Sequence, residues 1–287
     1  MKIVVFCDEP EKQNAWHGER LKQAFSARNV EAVFVSLQDC TIDLSGEKPQ
    51  IKIPNVDGLP QAVFVRGISG GTLQQITQRL NILHMLKQLG VLIYNDGRAI
   101  ERTVDKAMTS FLLQQNNITT PKTWVCESRE LAHKIMQQQE KLVIKPLFGS
   151  QGTGVRLVET QKLPLPMDAF VDGVFYLQQF IEAPSDYRVF IVNNQVVAAM
   201  KRTGETWLHN VAHGAKCEKT VKNDVLTIAQ QAAQVLDISY CGVDVIRDKD
   251  GQLFVLEVNS IPAWRGLQSV TETNIAQILV DDILSKI

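Results

Sequence analysis

The sequence predicts a chain in two parts: an open, parallel α/β domain over residues 1–97, then a larger α+β region over residues 98–287 with mainly antiparallel strands. Three observations predict it. Strand-like and helix-length runs alternate up to about residue 96, short strand-like pieces with few helices fill the rest, and two apolar runs flank Asp248-Lys249-Asp250-Gly251 as in a β-hairpin. Strands separated by helices are joined by crossovers and lie parallel, whereas strands joined by tight turns pair antiparallel. The 287 residues suffice for two or three subdomains.

Residues 3–6 form the first strand; the run is too short for a signal segment, and Asp8, Glu9 and Glu11 follow at once. A helix over 18–27, strands over 32–36 and 62–65, a helix over 73–89 and a strand over 91–94 complete the first part. Ligands of such sheets gather at the loops after the strands. Two of these loops are rich in polar groups, residues 7–17 and Arg66-Gly67-Ile68-Ser69-Gly70-Gly71. Arg66, at the mouth of a strand, is the candidate contact for a substrate carboxylate.

Asn95-Asp96-Gly97 is a turn signal, after which Thr103 is the expected N-cap of a helix that ends before Pro121, with Asp105 suited to its positive end. Strands follow over 123–126, 142–145, 155–158, 175–181, 187–192 and 196–201, and the hairpin spans 241–258. Helices over 129–139, 223–236 and 272–285 interrupt them.

A formal net charge of −1 gives no basic field for nucleic acid or an anionic membrane. No run approaches the roughly 18 to 20 apolar residues of a membrane span, so the expected location is the cytoplasm. Five scattered cysteines without a C-x-x-C pair suggest neither a disulfide framework nor a thiolate zinc site.

Lys145-Pro146-Leu147-Phe148-Gly149-Ser150-Gln151-Gly152-Thr153-Gly154 lies between two strands. Its three glycines let backbone amides approach an anion closely. The lysine precedes the glycines and no helix follows, so the loop is neither a P-loop nor a dinucleotide fingerprint. Phosphate binding and a plain hairpin both fit it.

In the hairpin, a turn centred on Lys249 and Asp250 sets Asp244 opposite Val255 and puts Asp244, Val255, Glu257 and Asn259 on one face. Asp244 and Glu257 are then diagonal neighbours, about 7 to 8 Å apart. Carboxylates in apolar strands are costly unless paired or bound to a metal. Three oxygen-bearing side chains without His or Cys suit a hard ion, Mg²⁺ first, with Mn²⁺ as the alternative.

The ordered set Asp105-Lys106, Lys145-Pro146 with its glycine loop, Gln178-Gln179-Phe180-Ile181, Asp186-Tyr187-Arg188, Lys201-Arg202, Asn210 and Glu257-Val258-Asn259-Ser260 resembles the ATP-grasp superfamily, especially its RimK-like glutamate ligases. The resemblance covers about residues 98–287 and implies a Rossmann-like pre-ATP-grasp domain ahead of an ATP-grasp fold with a lid at about 120–178. It implies ATP as the nucleotide, Lys106 and Lys145 as phosphate lysines, and Gly149, Ser150, Gly152 and Gly154 as the covering loop. By the same likeness Gln179, Phe180 and Ile181 form the adenine hinge, Asp186 contacts ribose, and Asn210 joins the nucleotide site. Arg202, with Lys145, serves the transferred phosphoryl, and Asp244, Glu257 and Asn259 hold magnesium, with Arg188 structural. Relatives commonly carry Glu in place of Gln179 and Arg in place of His209. His209 and His213 have a zinc-like spacing but no third ligand.

The implied chemistry is ATP-dependent joining of a small-molecule carboxylate to an amine through an acyl phosphate, which needs positioning and electrostatics rather than a side-chain nucleophile. Ile261-Pro262-Ala263-Trp264-Arg265-Gly266-Leu267-Gln268, together with Arg66-Gly67 and Ala99-Ile100-Glu101-Arg102-Thr103-Val104-Asp105-Lys106, resembles the subgroup associated with tetrahydromethanopterin- or methanofuran-type cofactor synthesis. Arg265 and Arg66 are the expected carboxylate contacts, with Trp264 packing on an aromatic acceptor. Alternatives are a protein C-terminal glutamate ligase, a kinase of the same fold, a nucleotide-binding regulator and an interaction scaffold. The sequence leaves the oligomeric state open, homo-oligomer included.

Overall fold

β1 (Lys2–Phe6) lies inside a parallel sheet, with β2 (Glu31–Val35) on one side and β5 (Ala62–Val65) then β6 (Leu92–Tyr94) on the other. The computed structural model describes residues 2–8, 15–149, 153–159, 173–204, 206–208, 214–219 and 221–287. Side chains alternate faces along β1 and β5, so Ile3, Val5 and Phe64 enter one core while Val4, Phe6, Val63 and Val65 enter another. Helix α2 (Leu73–Gln88) covers the second face; a capping box between Thr72 and Gln75 fixes its start. A small hairpin, β3 (Thr41–Asp43) with β4 (Gln50–Lys52), was not legible in the sequence because each strand is only three residues long.

The first face is covered by α1 (Ala15–Ser26) and by α8 (Ile275–Leu284), which returns from the far end of the chain. Ile275, Leu279, Val280 and Ile283 share a core with Ile3, Leu21, Phe25 and Phe64. Arg28 grips Asp281 through two bonds of 2.7 and 2.9 Å, and the Tyr94 hydroxyl donates to Asp282 at 2.7 Å. The two halves are therefore packed as one body.

The helix expected after Thr103 is two helices, α3 (Gly97–Val104) and α4 (Lys106–Gln115), meeting at Asp105. Thr103 is not the N-cap. Its hydroxyl bonds back to the carbonyls of Ala99 and Ile100 inside α3, while the Asp105 carboxylate accepts from the amides of Ala107 and Met108.

Two antiparallel sheets follow. The first runs β7 (Thr123–Cys126), β10 (Phe175–Gln179), β8 (Lys141–Lys145), β9 (Arg156–Glu159) and is backed by Ala132 and Met136 of α5 (Arg129–Gln137). The second runs β13 (Lys216–Glu218), β12 (Gln195–Thr203), β11 (Asp186–Val192), β14 (Tyr240–Arg247), β15 (Leu253–Asn259) and is backed by α6 (Asn223–Val235). The short edge strand β13 and the four-residue helix α7 (Arg265–Gln268) were not expected.

The hairpin register differs from expectation. The turn is one residue longer, so Val245 rather than Asp244 pairs with Val255, and a bulge between that pair and the next brings Asp244 directly opposite Glu257. Val255 lies in the α6 core with Val243 and Val245, on the face away from Glu257. Asp244, Leu256 and Glu257 line the cleft between the two antiparallel sheets. A bulge puts two residues against one on the partner strand, and bulges often re-aim side chains at binding sites. No helix among the described residues is long and apolar enough to cross a membrane.

Candidate active site

The two antiparallel sheets face each other across a cleft lined by residues of both. Strand alternation explains its walls. On β8, Leu142 and Ile144 point into the α5 core, while Val143 and Lys145 line the cleft. On β14, Asp244 and Ile246 do the same two residues apart, and the bulge adds Leu256 beside Glu257. Val143, Ile181, Ile246 and Leu256 supply the apolar part of its lining, and Phe180 meets Trp207 edge-on at 6.0 Å.

At the polar end, Arg188 holds Asp244 through both carboxylate oxygens, the Nη2 bond being 2.7 Å. Arg202 grips Asp186 with two 2.7 Å bonds and reaches Asp244 at 3.1 Å. All but Arg188 are buried, so each charge needs its partner. Burial opposes ionisation of Asp244, but Arg188 and Arg202 outweigh it and hold the carboxyl below its usual range. Burial likewise opposes the Arg202 charge, and Asp244 and Asp186 overcome it, raising the guanidinium pKa. Asp186 lines the cleft, yet both its oxygens accept from Arg202. The pair clamps Arg202, and the Asp186 oxygens keep lone pairs toward the cleft, so the ribose contact expected of Asp186 stands as a proposal.

Lys145 donates to Gln178 at 2.6 Å, and Lys106 to the carbonyls of Leu147 and Gly149 at 3.1 Å each. Neither lysine has a carboxylate partner within ion-pair distance among the described residues. Burial lowers the pKa of both; Glu257 is the largest influence in the opposite direction. Two poorly compensated cations beside a carboxylate pair are suited to phosphate oxygens.

Asn259 lies outside the cleft lining but donates to Glu257 Oε1 at 3.0 Å, which orients that carboxylate. No group of three or more His, Cys, Asp or Glu side chains among the described residues could hold a metal. An ion here would rest on Asp244, Glu257 and the Asn259 amide, an all-oxygen set that leaves positions for phosphate and water and fits Mg²⁺.

Gly149 and Thr153 of the glycine loop line the cleft, and Gly154 has φ +75°, a conformation that favours glycine. Ser150 and Gly152 lie outside the described residues, as do His209, Asn210 and His213. Gln179 lines the cleft, while its side chain accepts from the Lys122 amide at 3.4 Å and its own amide donates to the Lys122 carbonyl at 2.8 Å. Residues missed in the sequence are Val143, Gln178, Trp207, Leu208, Ile246 and Leu256. Val143 and Ile246 were findable, since each is two residues from a named polar residue on the same strand.

Arg66, Trp264 and Arg265 are not part of this cleft. Trp264 is fully buried against His17, Trp16 and Phe190, so it is a core residue and not the expected platform for an aromatic substrate. Arg66 lies over its ring at 5.1 Å, and Arg265 is exposed.

The sequence model of the RimK-like ATP-grasp domain matches residues 103–283. The chain is 35% identical over 237 residues to a tetrahydromethanopterin:alpha-L-glutamate ligase of Methanococcus maripaludis, covering 78% of this chain and 79% of that protein. It is 29% identical to a probable alpha-L-glutamate ligase of Vibrio vulnificus over 94% of this chain and 92% of the other. Among solved structures, the ATP-grasp ligase PsnB complexed with a minimal precursor is similar with a TM-score of 0.78 at 19% identity, covering 99% of both chains. A RimK domain ATP-grasp protein of Sphaerobacter thermophilus is similar with a TM-score of 0.71 at 21% identity, covering 99% and 100%. These last two establish the ATP-grasp fold, and the family match and the curated relatives establish more: the chain belongs to the RimK-like ATP-grasp family of carbon–nitrogen ligases.

Proposed function

We propose that the protein uses ATP to activate a small-molecule carboxylate as an acyl phosphate and joins it to an amine, adding glutamate to a one-carbon cofactor or its precursor. The observation that carries the reading is the meeting of Lys106, Lys145, Arg202 and the Asp244–Glu257 pair around one cleft whose lining is apolar in part. The substrate class follows the names of the relatives, tetrahydromethanopterin:alpha-L-glutamate ligase first among them.

In this reading the adenine lies between Val143, Ile181, Ile246 and Leu256, with backbone of residues 179–181 at its edge. Lys106 and Lys145 neutralise phosphate oxygens, and the loop from Gly149 to Gly154 closes over them. Asp186 aims Arg202 at the transferred phosphoryl; Arg188 does the same for Asp244 at the metal. Asp244, Glu257 and Asn259 would hold Mg²⁺, or Mn²⁺ with the same preference for oxygen, which would offset charge building on the phosphoryl oxygens. The substrate carboxylate oxygen attacks the γ-phosphorus as the bond to ADP breaks. The amine then attacks the acyl carbon, phosphate leaves, and the amine gives up a proton. Residues 1–97 act as the Rossmann-like pre-ATP-grasp domain, 98–287 as the ATP-grasp domain, and about 120–178 as its lid.

The test is incubation with ATP, Mg²⁺, glutamate and tetrahydromethanopterin, reading ADP and product mass together. ADP with a glutamylated product supports the ligase; ADP with a stable phosphorylated acceptor and no amide would replace it by a kinase.

A further inference from the structure

The parallel sheet has its own ligand-binding geometry. From β1 the chain moves outward to β2 and later returns to β5 on the opposite side, so the strand order reverses between β1 and β5. Open α/β sheets bind ligands outside the carboxyl ends of strands at such a point. Here the ends are fastened together: the amides of Arg66 and Gly67 both donate to the Phe6 carbonyl, at 2.7 and 3.0 Å. The Tyr240 hydroxyl donates to the Val65 carbonyl at 2.7 Å, the Ser69 hydroxyl donates to the Asp8 carbonyl at 3.0 Å, and Arg79 donates to the carbonyls of Ser69 and Gly70. A loop braced at five carbonyls holds its first side chain in place.

That side chain is Arg66. It is 6% exposed, and among the described residues its Nε has no hydrogen-bond partner and it makes no ion pair. Burial lowers its pKa, and the nearby Tyr240 and Asp8 act in the opposite direction. The Trp264 ring lies 5.1 Å from the guanidinium carbon, a cation–π contact that supports the charge but uses none of its N–H donors. Buried charges are ordinarily paired, so an unpaired guanidinium at a ligand-binding edge calls for an anion. The surroundings favour one. His17 accepts the Trp264 amide at Nε2 (3.1 Å), which leaves Nδ1–H as a donor. Burial, Arg66 and Arg265 push its pKa down to about 3, so it is neutral there and adds no competing charge. Arg265 contributes a second cation from the exposed side.

We propose that Arg66, with His17 and Arg265, forms an anion subsite that anchors a carboxylate of the acidic small molecule being ligated, separate from the phosphoryl-transfer cleft. That the anion belongs to a ligation substrate rests on the ligase reading; the existence of the subsite does not. The segment from Asn259 to Trp264 bounds the separation, since five residues span at most roughly 18 Å when fully extended. One elongated molecule can hold an anchoring carboxylate at Arg66 and present its reacting group at the metal pair.

The test uses the nucleotide-free full chain and glutarate as probe, with inorganic phosphate as the second arm, followed by calorimetry. Arg66→Gln is expected to weaken glutarate binding by roughly tenfold or more, the factor for loss of a charge-assisted hydrogen bond, while Mg²⁺·ADP still binds. Unchanged glutarate affinity overturns the subsite, as does no glutarate binding to the unaltered chain. Phosphate binding that depends on Arg66 without glutarate binding overturns the carboxylate assignment. If Arg66→Gln also loses ADP, Arg265→Gln replaces it: the exposed side chain should lower glutarate affinity, and no change counts against the proposal. Glutarate binding without any amide product in the ligase assay would refute the ligase reading and leave the subsite standing.

Discussion

Asp244 and Glu257 face each other across β14 and β15, brought into register by a bulge one pair away. Asp244 is clamped by Arg188, whereas Glu257 accepts from the Asn259 amide, shares a side-chain hydrogen bond with Asp244, and influences the buried Lys106 and Lys145. Asp244 is oriented by guanidinium groups and Glu257 by an amide, and both line the cleft.

Glu257→Gln keeps the shape and removes the charge. Loss of an electrostatic contact to the transferring group costs about 10²–10³ in rate, so ATP turnover should fall by that order. Steady-state assays across a Mg²⁺ titration check it, and a variant that turns over ATP at the parent rate excludes Glu257 as a metal ligand.

Lys145 should set the alkaline limb of ATP binding. Burial lowers its pKa from the ordinary 10.5, so the cation is lost at lower pH than for a free lysine, and affinity for Mg²⁺·ATP should weaken as pH climbs toward that value. Guanidinium does not titrate in this range. Lys145→Arg should therefore move the limb upward in a pH series of binding constants; an unchanged limb assigns it to another group.

Arg188→Ala leaves Asp244 with Arg202 alone. Breaking a buried pair from one side typically costs about 3–5 kcal/mol, measurable by urea unfolding at neutral pH. The sign with pH follows from the depressed carboxyl: its stabilising contribution is present above the unfolded value of 3.8 and lost as pH falls through the lower folded one. The parent should show a steeper acid loss than Arg188→Ala.

Leu279→Ala tests the shared core. Leu279 is fully buried on α8 against residues of the parallel sheet, and such truncations cost about 2–5 kcal/mol. A single unfolding transition, shifted as a whole, is expected; loss of only a terminal fraction of the signal would mean that the two halves unfold separately.

Much of this fold could be read from local pattern. Residues 62–65 and 123–126 are strands with the expected bounds, because apolar runs there end at polar or turn-forming residues. Lys106, Lys145, Arg202, Asp244 and Glu257 meet in one cleft as expected. What the sequence did not reveal depends on contacts far apart in sequence. Trp264 looks like a binding aromatic beside a strand end, and only the return of the chain onto the parallel sheet buries it against His17 and Trp16. The Asp186–Arg202 pair depends on the register of β11 and β12. The bulge at Leu256 breaks a two-residue alternation that the apolar run itself does not mark.

The most direct measurement is the acceptor mass after incubation with ATP, Mg²⁺, glutamate and tetrahydromethanopterin, run in parallel with the parent chain and Glu257→Gln. The account predicts a gain of one glutamyl unit matched by ADP for the parent, and neither for the variant. ADP release with no glutamyl gain, or an undiminished gain with Glu257→Gln, would contradict it.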